Sequence, residues 1–257
     1  MEKLLPYMPE RPGKPRNSGI TMVMDKGLSL REAEDFMSVG SEYPDFVKLG
    51  FGTSLVTPGL EKKILVYKKS GVVPYFGGTL FEAFIIRNMF IEFVEFLDKH
   101  EIDLVEVSDG SYDFEHERKL EYISRLAKRG TVISEVGSKK KEVVYSPDEW
   151  VAMMKSELDA GSAKVIAEAR ESGTTGIYNE DGSINSKIIN AISDHVKLEN
   201  VIWEAPMKSQ QAWFIKHFGA NVNLGNIAPT EIIPLESLRC GLRGDTFFEF
   251  LPQELKQ

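Results

Sequence analysis

A chain of 257 residues with a formal net charge of −8 and no basic stripe interleaved with aromatics is long enough for one large core, and its charge argues against a nucleic-acid backbone as partner. Its one cysteine, Cys240, rules out an internal disulfide framework and fits the reducing cytoplasm. No apolar run approaches the roughly 20 residues needed to span a bilayer, and the N-terminus lacks the apolar core of a signal peptide, so no membrane is expected either.

Residues 1–18, with Pro9, Pro12 and Pro15 and no periodicity, read as an extended arm. A first strand is expected over 19–26 and a helix over 29–39, followed by strands over 46–53 and 72–79. A long helix over 81–100 leads to a strand over 104–111, and a helix over 115–129 to a strand over 131–139. The pattern continues with a helix over 147–160, strand 164–169, helix 186–197, strand 201–206, helix 209–218 and strand 222–227. Strands that read as nearly continuous apolar runs are those of a parallel sheet covered on both faces. Eight such units in a chain of this length fit one (β/α)8 barrel domain spanning residues 1–257, which typically needs about 250 residues. A doubly wound open sheet is the alternative, but it would concentrate glycine-rich chemistry after its first strand, whereas here polar groups follow nearly every strand.

Four of the apolar runs carry a glutamate: Glu106, Glu135, Glu168 and Glu204. An ionised carboxylate out of water is tolerated only when paired, protonated or metal-bound, so four in successive strands point to one acidic site. In a barrel the strand ends face a common mouth, which brings Asp25 and Lys26, Lys48, Gly78 and Thr79, and Asn226 into the same reading. The glycine-rich ends at 50–54 and 77–79 suit an anion, or simply a tight turn. Glu168 and Arg170 share one side of an extended segment, as ligands of one substrate or as a rim ion pair. Arg243, in Leu242-Arg243-Gly244, fits a phosphate site after the last strand or a helix cap. Lys139, Lys140 and Lys141 form a run in which composition distinguishes none, although Lys139 sits just past a strand end beside Gly137. The four histidines lie in or beside helical segments, which argues against zinc or a histidine base, and no Ser/His/Asp or Cys/His arrangement appears. Hard oxygen donors among cationic residues point to Mg²⁺ and an oxyanion-rich substrate that passes through an enolate-like state.

Taken in order, the strings Asp25-Lys26-Gly27, Lys48-Leu-Gly-Phe-Gly-Thr-Ser54, Gly77-Gly-Thr-Leu-Phe-Glu82, Glu106-Val-Ser-Asp-Gly-Ser111, Ser134-Glu-Val-Gly137 with Lys139, Glu168-Ala-Arg-Glu-Ser-Gly173, Glu204-Ala-Pro-Met-Lys208, Asn223-Leu-Gly-Asn226 and Gly241-Leu-Arg-Gly-Asp-Thr246 closely resemble the phosphosulfolactate synthase family. The resemblance implies a Mg²⁺-dependent (β/α)8 enzyme that adds sulfite to phosphoenolpyruvate, giving (2R)-phospho-3-sulfolactate on a route to coenzyme M or sulfolactate. It implies Lys139 as the acid that protonates C2, with Arg170 beside the reacting centre. Glu135, Glu168 and Glu204 are the expected metal-site carboxylates, with Asp25 and Glu106 as alternates. Lys26, Lys48, Arg170 and Arg243 are expected to hold substrate charge, with Gly78, Thr79 and Asn226 as neutral donors. Two other readings stand beside this one: a related lyase or synthase using the same enolate step with another nucleophile, and a non-catalytic heat-stress-type relative of the same fold. A homo-oligomer is left open.

Overall fold

The computed structural model describes residues 5–112, 114–137, 145–169, 174 and 176–256. Lys139 and Arg170 lie outside these residues. Among the described residues the elements alternate as β1 (Thr21–Asp25), α1 (Leu30–Gly40), β2 (Phe46–Leu49), α2 (Leu60–Lys69), β3 (Val73–Phe76), α3 (Gly78–Ile85), α4 (Phe90–Lys99) and β4 (Leu104–Val107). They continue as α5 (His116–Ala127), β5 (Thr131–Val136), α6 (Pro147–Asp159), β6 (Lys164–Ala167), α7 (Ser186–His195), β7 (Val201–Glu204), α8 (Lys208–Phe218), β8 (Leu224–Ile227) and α9 (Ile232–Arg239). The strands form one parallel sheet in the order β3-β2-β1-β8-β7-β6-β5-β4, a nearly closed (β/α)8 barrel.

Alternation of side chains along each strand sends one set into the barrel and the other against the helices. Trp203 shows the outward set: it stacks on Phe214 of α8 at 5.2 Å between ring centroids, while the next residue, Glu204, points inward to the cavity described below. Helix starts are written in the sequence. Ser29 and Ser146 each cap a helix, their hydroxyls accepting from the amides of Glu32 and Glu149 while their own amides donate back to those carboxylates, and Pro147 occupies the first turn of α6 where its missing N–H is harmless.

The long helix expected over 81–100 is two helices. Asn88 adopts a left-handed conformation, φ 56°, and the Met89 amide turns back to the Phe84 carbonyl at 3.0 Å, which ends α3 and redirects the chain into α4. The third strand also stops at Phe76, so Gly78 and Thr79 open a helix instead of ending a strand. α2 and α9 add to the helices expected; their buried faces are Leu60, Lys63, Ile64 and Tyr67 in the first and Ile232, Leu235, Leu238 and Arg239 in the second.

β3 and β4 are the two ends of the strand order, with no ladder between them among the described residues. Side chains bridge this seam: the Tyr75 hydroxyl donates to Glu106 Oε2 at 3.0 Å and the Gly78 amide to Glu106 Oε1 at 2.5 Å. The opposite end of the barrel is sealed by the arm and by Arg239. Arg11 pairs with Glu236 at 2.9 Å, Arg16 pairs with Asp45 at 2.9 Å, and Lys14 donates to the Ser41 carbonyl at 2.7 Å. Arg239, fully buried, donates to the carbonyls of Ala220 (2.5 Å), Val222 (2.7 Å) and Ile20 (3.2 Å) and to the Thr21 hydroxyl (3.3 Å). Replacing it with leucine leaves these oxygens without their donor. Arg239→Leu is therefore expected to lose about 3 kcal/mol in urea unfolding, with Arg239→Lys recovering only part because an ammonium cannot fork to both strands.

Candidate active site

Residues of all eight strands or of the segments just after them line a cavity of about 570 Å³ at the C-terminal mouth of the barrel. It brings together seven of the residues expected from the sequence: Lys26, Lys48, Thr79, Glu135, Glu168, Glu204 and Asn226. Met24, Phe51, Ser111, Ala169, Pro206 and Ala228 complete its wall. Gly78, Asp25, Glu106 and Arg243 are not among its lining residues. Of the sequence candidates, Lys139 and Arg170 fall on residues that are not described.

The cavity floor is a buried cluster of charge. Lys48, on β2, is 6% exposed, and its ammonium lies 2.9 Å from Glu106, 3.0 Å from Glu135 and 3.7 Å from Glu204. Burial works against its charge, but Glu106, Glu135, the Tyr75 hydroxyl and Glu204 outweigh burial and hold the ammonium well above the ordinary lysine range. The carboxylates feel the reverse. Burial pushes Glu106 up, opposed by Lys48, and pushes Glu204 up to about 8, opposed by Lys48 and reinforced by Glu135. Glu204 is also held by the Ala169 amide, 2.8 Å from Oε2.

Asp25 is spoken for on the far side of the strand. Met24 faces the cavity, so the next side chain points to the helix layer, where the Asp25 carboxylate accepts from Tyr67 (2.8 Å) and the amides of Gly27 and Leu28 (both 2.8 Å) and pairs with Lys63 (2.9 Å). These bonds fix the turn that carries Lys26. Gly78 lies under Thr79 with its amide given to Glu106, and a β-carbon there would collide with Ser108 and stand 2.8 Å from Glu106 Oε1. Gly137, at φ 142°, lets the chain pass close to Glu168, where a β-carbon would stand 2.6 Å from that of Glu168. Arg243 follows α9, in the segment whose Asp245 pairs with Lys208 at 3.0 Å.

Sequence reasoning passed over Phe51 and Ser111. Phe51 is about half exposed and left-handed at φ 55° between two glycines, which is the signal that could have singled it out. Ser111 sits on a loop and has no such mark.

Among the described residues no group of three histidine, cysteine, aspartate or glutamate side chains is arranged to hold a metal ion. Lys48 stands between Glu106, Glu135 and Glu204. The donors fit a different arrangement, Mg²⁺ held by one or two carboxylates with water and substrate oxygens in the other places, because Glu135 and Glu168 come from neighbouring strands and face the same cavity.

Two outcomes test the charge cluster. Lys48→Met strands three buried carboxylates, so it is expected to lose about 3–5 kcal/mol in stability at pH 8 and to regain much of it at pH 5, where the carboxyls take up protons. Glu204, at about 8 against the usual 4.5, holds in the folded protein a proton that the unfolded chain has released, so its contribution is complete below pH 4.5 and is withdrawn as pH rises toward 8. Thermal unfolding of Glu204→Gln in metal-free buffer should accordingly show a flatter pH dependence than wild type between those limits.

Comparison with known proteins identifies the family. The family described as (2R)-phospho-3-sulfolactate synthase (ComA) matches residues 9–245. A phosphosulfolactate synthase of Methanothermobacter thermautotrophicus is 42% identical over 93% of this chain and 95% of its own length. That of Bacillus subtilis is 40% identical over 94% and 97%. A 3-hexulose-6-phosphate synthase structure from Salmonella typhimurium superposes with a TM-score of 0.56 at 15% identity, over 87% of this chain and 100% of that one, a likeness of fold alone. The extent and level of the sequence matches establish that this chain belongs to the phosphosulfolactate synthase family of enzymes.

Proposed function

We propose that the protein catalyses the addition of sulfite to phosphoenolpyruvate, giving (2R)-phospho-3-sulfolactate. The observation that carries this reading is the cavity, which gathers two lysines, three glutamates, a threonine and an asparagine from strand ends that are far apart in sequence. A substrate pair rich in oxyanions needs such cations and donors, and an addition step needs a group to deliver a proton.

In this reading the sulfur lone pair of sulfite forms a bond to C3 of phosphoenolpyruvate, and the π electrons of the C2–C3 bond move toward C2 and the carboxylate. A proton from Lys139 then completes the bond at C2. Lys26 and Lys48 hold substrate charge, Thr79 and Asn226 donate hydrogen bonds, and Arg170 and Arg243 complete the anion-binding set. The Gly78 amide orients Glu106, which in turn fixes Lys48. Mg²⁺ would be held by Glu168 and Glu135, with Glu204 beside them, and would supply electrophilic stabilisation of the charge gathering on the substrate carboxylate. Glu106, Glu135 and Glu204 keep the Lys48 ammonium charged against the cost of its burial, which keeps water from the cavity floor. The reaction is assigned to one barrel domain over 1–257, in the cytoplasm, where the lone Cys240 stays reduced.

Phosphorus NMR of the purified protein with phosphoenolpyruvate, sulfite and Mg²⁺ tests the proposal directly. A new phosphate-ester resonance that requires both sulfite and Mg²⁺ and disappears with EDTA is expected, and Lys139→Ala should lower kcat by about 10²–10⁴-fold. Binding of phosphoenolpyruvate without sulfite turnover would point instead to another nucleophile. Arg170→Ala should raise KM for the substrates, and unchanged constants would remove it from the site.

A further inference from the structure

The loop between β4 and α5 is gripped from two sides by buried charged residues that do not line the cavity. From α3, Glu82, 2% exposed, accepts from the Ser108 hydroxyl at 2.5 Å, the Ser111 amide at 2.7 Å and the Tyr112 amide at 2.5 Å. From α5, Lys119, 1% exposed, pairs with Asp109 at 2.8 Å and with Glu157 of α6 at 2.8 Å, and donates to the Glu135 carbonyl at 2.6 Å. Burial opposes the Lys119 charge, but Glu157 and Asp109 keep it protonated above the ordinary range. Two dehydrated charged groups spent on one surface loop are costly to maintain, and structures carry such an arrangement where a loop must hold one shape. What the loop presents to the cavity is Ser111, on the same wall as Thr79 and within the chamber that Lys48 floors.

We propose that Ser111 is a contact for the sulfite oxygens, with Glu82 and Lys119 as its positioning residues. This rests on the reaction proposed above. The carboxylates Glu135, Glu168 and Glu204 occupy the β5 to β7 side, which suits the metal and the substrate carboxylate, and the β7 to β8 side, where Asn226 lies, is where barrels commonly take a phosphate. The β3 to β4 wall, with two hydroxyls and no carboxylate among its cavity-lining residues, is left for the third oxyanion. Hydroxyls donate to oxyanion oxygens without neutralising the sulfur lone pair that must attack.

Steady-state kinetics of Ser111→Ala in both substrates read this contact. Loss of one hydrogen bond to an anion predicts a rise of about tenfold in KM for sulfite, with KM for phosphoenolpyruvate within about twofold. Glu82→Gln replaces one of the two acceptor oxygens that together face three donors with an amide nitrogen, so it should move KM for sulfite in the same direction. The double variant should add little beyond Ser111→Ala, since both act through one contact, whereas a merely structural loss would add and would touch both substrates. Isothermal titration of sulfite into wild type and Ser111→Ala needs no turnover and should show about tenfold weaker binding in the variant. An unchanged sulfite KM, a parallel rise in both KM values, or sulfite binding that ignores the substitution overturns the assignment even if wild type turns over. Wild-type protein that binds sulfite through Ser111 but forms no product would leave the subsite standing and refute the reaction.

Discussion

Everything at the mouth of this barrel depends on one ammonium group held among carboxylates. Lys48 lies within 3.0 Å of both Glu106 and Glu135 and 3.7 Å from Glu204, with almost no exposure to water. Dehydrating a single ion costs several kcal/mol, and only mutual attraction inside a poorly screening interior offsets it. Three glutamates can therefore occupy the barrel interior because one lysine stands between them. The price of that arrangement is that each charge is defined by the others: Glu204 is raised by burial and by Glu135 while Lys48 restrains it.

The second tier is made of carboxylates that organise backbone. Asp25 gathers the amides of Gly27 and Leu28, Glu82 gathers those of Ser111 and Tyr112, and Glu204 takes that of Ala169. In each case an acidic side chain holds the start of a loop that bears cavity residues, so the loops at the mouth are shaped by groups behind them. From the helix layer Lys63 neutralises Asp25 at 2.9 Å, and Lys119 pairs at 2.8 Å with Asp109 of the loop that Glu82 holds. The helices of this barrel thus do more than cover apolar strands; α2 and α5 reach inward to set loop geometry.

Strands were legible in the sequence because a doubly covered parallel strand is apolar throughout, and the glutamates were legible because they broke that rule. Three of the four line the cavity, and the fourth, Glu106, lies beneath it bridging β3 and β4. Asp25 looked equivalent to them at the level of strand-end placement. Strand parity separates them, since Met24 and Lys26 face the cavity and the residue between must face away. Ser111 was hidden because a loop residue is oriented by tertiary contacts to Glu82 and Lys119, which no local spacing encodes. α2 and α9 do carry apolar faces at helical spacing, Leu60, Ile64 and Tyr67 in one and Ile232, Leu235 and Leu238 in the other, each shared with a buried cation, Lys63 or Arg239.

The seam between β3 and β4 gives the barrel an unusual mechanical property. Among the described residues every other junction is stitched by backbone ladders, while this one is spanned by Tyr75 and Gly78 meeting the carboxylate of Glu106. The fastening is the same carboxylate that steadies Lys48, so closure of the wall and the electric field of the site rest on one side chain, Glu106.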